Sequence, residues 1–188
     1  MHVPDTDRLQ SVVVRPMTRE DAEAFSRFTS EVPEGERRFL KEDLEKLAQA
    51  LPATEDHLDA RRLVAVDDDR GIVGVAGAFR GSGWSAHVAE IRVLVSAAHR
   101  RNGLGRALAR AAVVEALELG CSQAYVEVIA EQGALVAMFQ DMGFEPQALL
   151  PDFVRDVTGE FHDLMLLTLR ADDQWRLNQV LGLDEVLA

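Results

Sequence analysis

The sequence is short of several residue types, and each shortage narrows what the chain can be. Its 188 residues include one cysteine, Cys121, which excludes an internal disulfide and a zinc site built on cysteines. No apolar run approaches the length of a membrane span, and residues 1–10 lack the basic start and apolar core of an export signal. We therefore expect a cytoplasmic protein that is neither exported nor embedded in a membrane.

Basic residues are also scarce, since 20 Lys and Arg stand against 32 Asp and Glu, for a net charge of −12 at pH 7. Such a field repels polyanions, so we expect no nucleic acid and no anionic membrane surface among the partners. A cationic partner such as an amine is compatible with the charge. Because acidic surfaces also serve solubility, the charge by itself does not identify that partner.

Apolar residues are abundant, at 47% of the chain, which is enough for the core of one domain. We place this domain at residues 11–170. Residues 1–10 precede it as a loose N-terminus, and residues 171–188 follow it as a tail that could form a short helix.

The stretch around which the domain is organised combines a strand, a turn with glycines and a long helix. Apolar residues alternate through 89–95, which predicts a strand, and recur at helical spacing from Leu104 onward. Gly103 and Gly105 have no side chains, so a ligand could approach the unpaired N–H groups of the first helical turn. Such a helix start suits an anion, and we expect a diphosphate there. Taken alone, the turn is better explained as a structural corner whose glycines ease a tight turn.

Other patterns predict the elements around this stretch. Thr18 and Asp21 have the spacing of a helix cap, and a strand over Ser11–Arg15 precedes them. Further predicted elements are a hairpin at 62–66 and 72–79, a strand at 123–129, a helix at about 133–142 and a hairpin around 156–160. A charged helix is predicted between Pro33 and Pro52, and its acidic residues are more simply explained as solvated than as a binding surface.

Two motifs carry a resemblance to a known family. The arrangement Arg-x-x-Gly-x-Gly, at 100–105 directly after a strand, resembles the acyl-coenzyme A motif of the GCN5-related N-acetyltransferases (GNAT). Residues 137–144, AMFQDMGF, are similar to a later motif of that family, and the resemblance extends from Val12 to Leu169. It implies an α/β protein with the GNAT-type acyl-CoA N-acyltransferase fold, in which helices flank a mixed central sheet with a splayed parallel strand pair.

The resemblance also implies a reaction. Acetyl-CoA would be the cosubstrate, without a metal, and its acetyl group would pass by direct attack in a ternary complex to a primary amine. A small amine, an amino acid, a polyamine and a protein amine all remain open as acceptors. Many members of the family are dimers, so a homodimer is a further expectation.

The cofactor residues follow from the matched motifs. The pantetheine arm would bind the backbone near Leu94 and Val95. The diphosphate would bind backbone groups of the turn and helix start, namely Arg100, Arg101, Asn102, Gly103, Leu104, Gly105 and Arg106. Gln132 stands where the family has an asparagine. Phe139 stands where the family often has a tyrosine that protonates the leaving thiolate, so its ring would belong to the core or pack on the cofactor.

Catalytic candidates lie on the two central strands. Glu90 is the first candidate for the general base, with a pKa that burial would raise toward the working pH. Its alternative role is a structural partner of Arg92 or of another basic residue. Glu127 and His87 are less favoured bases. Tyr125, the single tyrosine, could supply the missing acid, although a buried tyrosine with a satisfied hydroxyl is at least as good an interpretation.

A second function stays open beside the enzyme. With Phe139 in the tyrosine position, the chain could be a module that senses acyl-CoA and does little chemistry. Cys121 lies beyond the helix-ending glycine, so no acyl-cysteine intermediate is expected.

Overall fold

The computed structural model describes residues 12–37, 40–41, 46–47 and 59–171. The predicted N-terminus at 1–10 lies outside these residues, as do the predicted tail beyond residue 171 and most of the predicted charged helix before Pro52. No helix in the described part of the chain has the length and apolar character that a membrane span needs.

One seven-stranded sheet runs through the molecule in the order β1-β2-β3-β4-β5-β7-β6. Neighbouring strands are antiparallel except for the parallel pair β4–β5. The strands are β1 (Val12–Pro16), β2 (Ala60–Asp67), β3 (Gly71–Arg80), β4 (Val88–Val95), β5 (Gln123–Ile129), β6 (Glu145–Arg155) and β7 (Phe161–Arg170). β1 ends on Pro16, which is tolerated because β1 lies at an edge of the sheet.

Four α-helices are described: α1 (Ala22–Ser30), α2 (Glu34–Arg37), α3 (Leu104–Glu118) and α4 (Gly133–Asp141). Short 3-10 turns lie at Arg19–Asp21, Gly83–Ser85 and Ala97–His99. The predicted cap at Thr18 is confirmed, since Asp21 accepts hydrogen bonds from the Thr18 N–H at 2.7 Å and from both terminal nitrogens of Arg15. Asp21 thereby fastens the start of α1 to β1.

The two faces of the sheet bury different cores. One face packs against α3 and α4, with Leu104, Leu108 and Phe139 among its buried residues. The other face packs against α1 through Phe25 and Phe28. Because side chains alternate along a strand, β4 presents Ala89 and Ile91 to the first core and Glu90 and Arg92 to the opposite side.

The parallel pair diverges soon after it begins. β4 and β5 are paired only from Val88–Gln123 to Glu90–Tyr125, although both strands continue for several residues. The predicted fold, a mixed sheet with a splayed parallel pair flanked by helices, is confirmed. A gap thus opens between the carboxyl half of β4 and β5.

Candidate active site

The direction of the peptide groups along β4 determines which of them line this gap. At one end of the β3–β4 pair the Gly81 N–H donates to the Val88 carbonyl, and just past the other end the Ser96 N–H donates to the Val73 carbonyl. Backbone groups alternate sides along a strand, so the even-numbered residues of β4 face β3. The His87 carbonyl, which accepts hydrogen bonds from the β5 side, agrees with this alternation.

This alternation bears on the predicted pantetheine contacts, which remain a prediction. Leu94 is paired with Val75 in β3, and its backbone groups point away from the gap. The backbone of Val95 faces the gap as predicted, and so does that of Val93, which the sequence analysis did not select. The Val95 carbonyl already accepts a hydrogen bond from Arg100 Nε at 3.0 Å. Val93 could have been selected from the sequence, because the backbone groups of alternate residues in a strand point to the same side.

A left-handed turn leads from β4 into α3. Arg101 has a φ of 61° and Gly103, the residue that caps α3, has a φ of 90°. A non-glycine residue in the left-handed region is uncommon and costs free energy. Asn102 steadies the turn through its side-chain oxygen, which accepts a hydrogen bond from the Leu104 N–H at 3.3 Å. The turn therefore presents a helix start, where N–H groups lack intrahelical partners.

Gly105 lies in the first turn of α3 without any need of its own for glycine. An added Cβ would meet Met138 Sδ at 3.7 Å and Val95 Cγ2 at 3.8 Å, which are ordinary contact distances. In a helix, glycine is about 1 kcal/mol less favourable than alanine. The protein's own packing therefore does not explain Gly105, whereas close approach of a ligand would.

The arginines around this turn differ from one another. Arg100 pairs with Glu36 of α2, one of the two hydrogen bonds measuring 2.8 Å, and Arg106 contacts Asp141 of α4 at 3.2 Å. Arg106 therefore has a carboxylate partner within the protein. Arg101 is exposed and has no hydrogen-bond or ion-pair partner among the described residues.

A cavity of about 250 Å³ lies beside the carboxyl end of β4. Leu94, Val95 and Arg100 line it, together with Val32 and Glu36 from the α1–α2 region. Three of the predicted cofactor residues therefore share one open space. The other eight do not line it. Among them, Gln132 is the residue preceding α4 and Phe139 is buried edge-on against Phe144, with ring centroids 5.2 Å apart.

A cluster of charged groups lies where β4 and β5 separate. Lys41 Nζ is 2.6 Å from Glu90 Oε1 and 2.5 Å from Glu127 Oε2. Arg92 donates to Glu90 Oε2 at 2.8 Å, and the Tyr125 hydroxyl lies 3.4 Å from the same oxygen. Two carboxylates and two cations are thus ion-paired at the end of the gap.

The electrostatics of Glu90 differ from the expectation. Burial raises the pKa of its carboxyl, but the hydrogen bonds from Arg92 and Lys41 outweigh burial and hold that pKa below its usual value. The predicted rise in the pKa of Glu90 is therefore wrong for this arrangement. The alternative role of Glu90, as a partner of Arg92, is present in the structure and does not exclude a catalytic one.

Tyr125 is a weaker acid than an ordinary tyrosine. Burial, with Glu90 and Glu127 nearby, raises its pKa to about 12. A thiolate has an ordinary pKa near ~8.5, so a proton transfer from Tyr125 to it would be uphill. The hydroxyl is placed to support Glu90. His87, the other alternative, is exposed just before β4, on the side where the strands are still paired.

Two further groups of titratable side chains have local explanations. Burial raises the pKa of the Cys121 thiol, which does not favour a nucleophile. Asp156, Glu160 and His162 come together at the β6–β7 turn, where Asp156 Oδ1 accepts hydrogen bonds from the Thr158 hydroxyl and from two backbone N–H groups. The hydrogen bonds from Thr158 hold the pKa of Asp156 at about 2.

Solved structures that share this fold include several acetyltransferases. A GCN5-related N-acetyltransferase from Kribbella flavida is 25% identical, with 86% of this chain and 98% of that one covered and a TM-score of 0.71. The putative acetyltransferase yncA from Salmonella typhimurium, with its cofactor acetyl-CoA, is 20% identical over 87% and 95% of the two chains, at 0.71. A point mutant of the Vibrio cholerae spermidine N-acetyltransferase SpeG is 16% identical over 90% and 98%, at 0.72. Comparison with curated protein sequences gives no match.

The sequence itself matches the model of the acetyltransferase (GNAT) family over residues 22–144. That match covers more than half of the chain and both motifs on which the resemblance was based. The chain belongs to the GNAT family of acetyltransferases. The predicted enzyme class, an acyltransferase, is confirmed with it.

Proposed function

We propose that this enzyme transfers the acetyl group of acetyl-CoA to a primary amine by direct attack in a ternary complex. The observation that carries the proposal is the continuity of the gap between β4 and β5. It extends from the glycine-bearing start of α3 to the buried carboxylate of Glu90 at the point of divergence.

The donor fits one side of this gap. Val93 and Val95 offer backbone groups to a pantetheine amide, and the turn from Arg100 to Arg106 offers the N–H groups of a helix start to a diphosphate. Gly105 leaves the room that such an approach needs. Recognition would rest mainly on main-chain groups, with the exposed guanidinium of Arg101 beside them.

The acceptor fits the other side. A primary amine is mostly an ammonium ion at neutral pH, so it must lose a proton before it can attack. Glu90 is our candidate for the group that takes this proton, directly or through a water molecule. If the acceptor's ammonium replaces that of Lys41, it lies beside Glu90 and can pass its proton to that carboxylate. Burial, the largest influence on the pKa of Glu90, favours the uncharged carboxyl that results.

The transfer forms one bond, breaks one bond and releases one leaving group. The amine nitrogen forms a bond to the acetyl carbonyl carbon, the bond from that carbon to sulfur breaks, and coenzyme A leaves as a thiol or thiolate. Its ordinary pKa near ~8.5 makes a thiolate tolerable without a dedicated acid. Tyr125 remains a candidate for positioning Glu90. Lys41 is a candidate for neutralising the carboxylates when no acceptor is bound.

One observation favours a second function, that of an acyl-CoA sensor with little turnover. Phe139 occupies the tyrosine position, and because a phenyl ring has no acidic hydrogen, it can supply no proton to the leaving thiolate. The ring is also buried.

The test of both functions is the release of free thiol from acetyl-CoA with a panel of primary amines that includes alkyl diamines, amino acids and a lysine-containing peptide. The transferase predicts acceptor-dependent release together with acetylated product. Acetyl-CoA binding without release for any amine would favour the sensor.

A further inference from the structure

The contacts of Lys41 identify the kind of acceptor that the charged cluster is built to hold. Its ammonium makes the two shortest ion pairs of the cluster, with Glu90 and Glu127. These carboxylates come from β4 and β5, so the ammonium spans the two strands just where they separate. A primary ammonium has three N–H donors, enough to bond both carboxylates at once.

We propose that Glu90 and Glu127 form the seat of the acceptor's primary ammonium, and that Lys41 occupies this seat until an acceptor displaces it. This inference rests on the proposed function and specifies its substrate class. The acceptor would be a primary amine on an unbranched alkyl chain, as in a lysine side chain or an alkyl diamine, because Lys41 is itself such a group.

Charge balance favours displacement over simultaneous binding. Lys41 is ion-paired with both Glu90 and Glu127, and Arg92 is ion-paired with Glu90. A second ammonium added beside Lys41 would bring three cations onto two carboxylates. If the acceptor replaces Lys41, the same balance is kept, and no buried carboxylate is left unpaired.

Burial around the seat gives the acceptor a way in. The side chain of Glu90 is 9% exposed and that of Glu127 is 21% exposed, whereas Lys41 is 40% exposed. The ammonium therefore lies at the inner end of a stem that reaches solvent. When Lys41 swings out, a linear alkyl chain of the acceptor could follow the path of its stem.

Arg92 is fixed where Lys41 is free to leave. Its guanidinium lies over the ring of Phe79, at 4.4 Å from the ring centroid, and it donates to the opposite oxygen of Glu90. A cation held by both a ring and a carboxylate is a permanent part of the site. Of the two cations, Lys41 is the exchangeable one.

The test uses 1,4-diaminobutane as the probe and needs no acetyl-CoA. Lys41→Met removes the charge and keeps the length of the side chain, so calorimetric titration should show at least tenfold tighter binding of the diamine than the wild type shows. Lys46→Met is the matched control, because it removes another lysine of the same segment, and it should bind as the wild type does. Adding Glu127→Gln to Lys41→Met should abolish the gain.

A measurement on the wild-type chain keeps the test independent of how the variants fold. In the nitrogen-15 spectrum of lysine ammonium groups, saturating diamine should shift the Lys41 signal and leave that of Lys46 in place. Hexamethylated diaminobutane, which has no N–H donor, should shift neither signal. An unmoved Lys41 signal, or equal diamine affinity in Lys41→Met and wild type, would overturn the proposal. Acetyl-CoA binding measured on the same samples reports separately on the proposed function.

Discussion

The two sides of the central strand β4 are organised by different rules. Ala89 and Ile91 face α3 in a closely packed apolar core, whereas Glu90 and Arg92 face a cluster of charges on the opposite side. Packing explains the first side without any ligand. The second side holds buried charges that hydrophobic burial would not select, and buried charges persist only when they are paired. The first side supports the fold, and the second is the side on which we propose that the reaction takes place.

The largest effect on this comparison is expected from Glu90→Gln. The amide keeps the shape of the side chain but cannot accept the amine proton, so turnover should fall by about 10²- to 10⁴-fold. Acetyl-CoA affinity should stay at the wild-type value, because the donor binds along the gap. Thiol release and calorimetry separate the two quantities. Turnover within a few-fold of wild type would mean that Glu90 is a structural partner of Arg92 and no more.

A pair of glycines on β3 compares the two sides more directly. In Gly74→Ala the new methyl would lie 2.8 Å from Leu108 Cδ1 in the α3 core, and in Gly77→Ala it would lie 2.8 Å from the ring of Phe79. Each should lower the free energy of unfolding by about 2 kcal/mol through overpacking. Per folded molecule, only Gly77→Ala should lose turnover, several-fold, because it displaces the ring beneath Arg92. Equal losses of turnover in the two variants would contradict the claim that only the charged side of β4 takes part in the reaction.

Helix α1, which packs on the second side of the sheet, should contribute less stability at low pH. Hydrogen bonds from Arg15 hold the pKa of Asp21 below its ordinary value. A lowered folded-state pKa contributes stability above the unfolded pKa of about 3.9, and this stability is lost as the pH falls through the folded pKa. Urea unfolding should therefore show Asp21→Asn about 2 kcal/mol less stable than wild type at pH 6, with the difference shrinking as the pH falls below the unfolded pKa of about 3.9. A difference independent of pH would contradict the ion pair.

The smallest effect is expected from Phe139→Tyr. The hydroxyl would enter the buried contact with Phe144, so it should cost about 1 kcal/mol of stability and leave turnover unchanged. Thermal unfolding and thiol release measure the two. A clear rise in turnover would show that the ring reaches the leaving thiolate and that its place in the α3 core is not fixed.

The two sides of β4 also differ in how much of them the sequence could predict. The α3 side was predictable because it depends on local periodicity and local turn chemistry, as in the strand over 89–95 and the left-handed Gly103. The sequence analysis also named Glu90, Glu127 and Tyr125, since they lie on predicted strands.

The remaining parts of the site depend on distant pairing. Lys41 lies in a stretch dense with charges, and nothing local marks it as the partner of two carboxylates on strands far along the chain. The pKa of Glu90 was mispredicted for the same reason, because burial could be inferred from the strand while the two cations that outweigh it could not. Val93 was within reach through the alternation of backbone groups, but the direction of that alternation needed the pairing of β4 with β3.

The central claim, that the gap and the start of α3 bind acetyl-CoA, is tested most directly by one titration of acetyl-CoA with thermal unfolding as readout. Wild type at about 100 times the Kd should gain roughly 2.7 kcal/mol of apparent stability. Gly105→Glu should fold at least as well, because an acidic residue suits a helix start, yet it should lose the gain, since its charge would repel the diphosphate. Val114→Glu, with the same charge further along α3 at a partly exposed position, should keep it. No gain in wild type at millimolar acetyl-CoA, or a full gain in Gly105→Glu, would contradict the account.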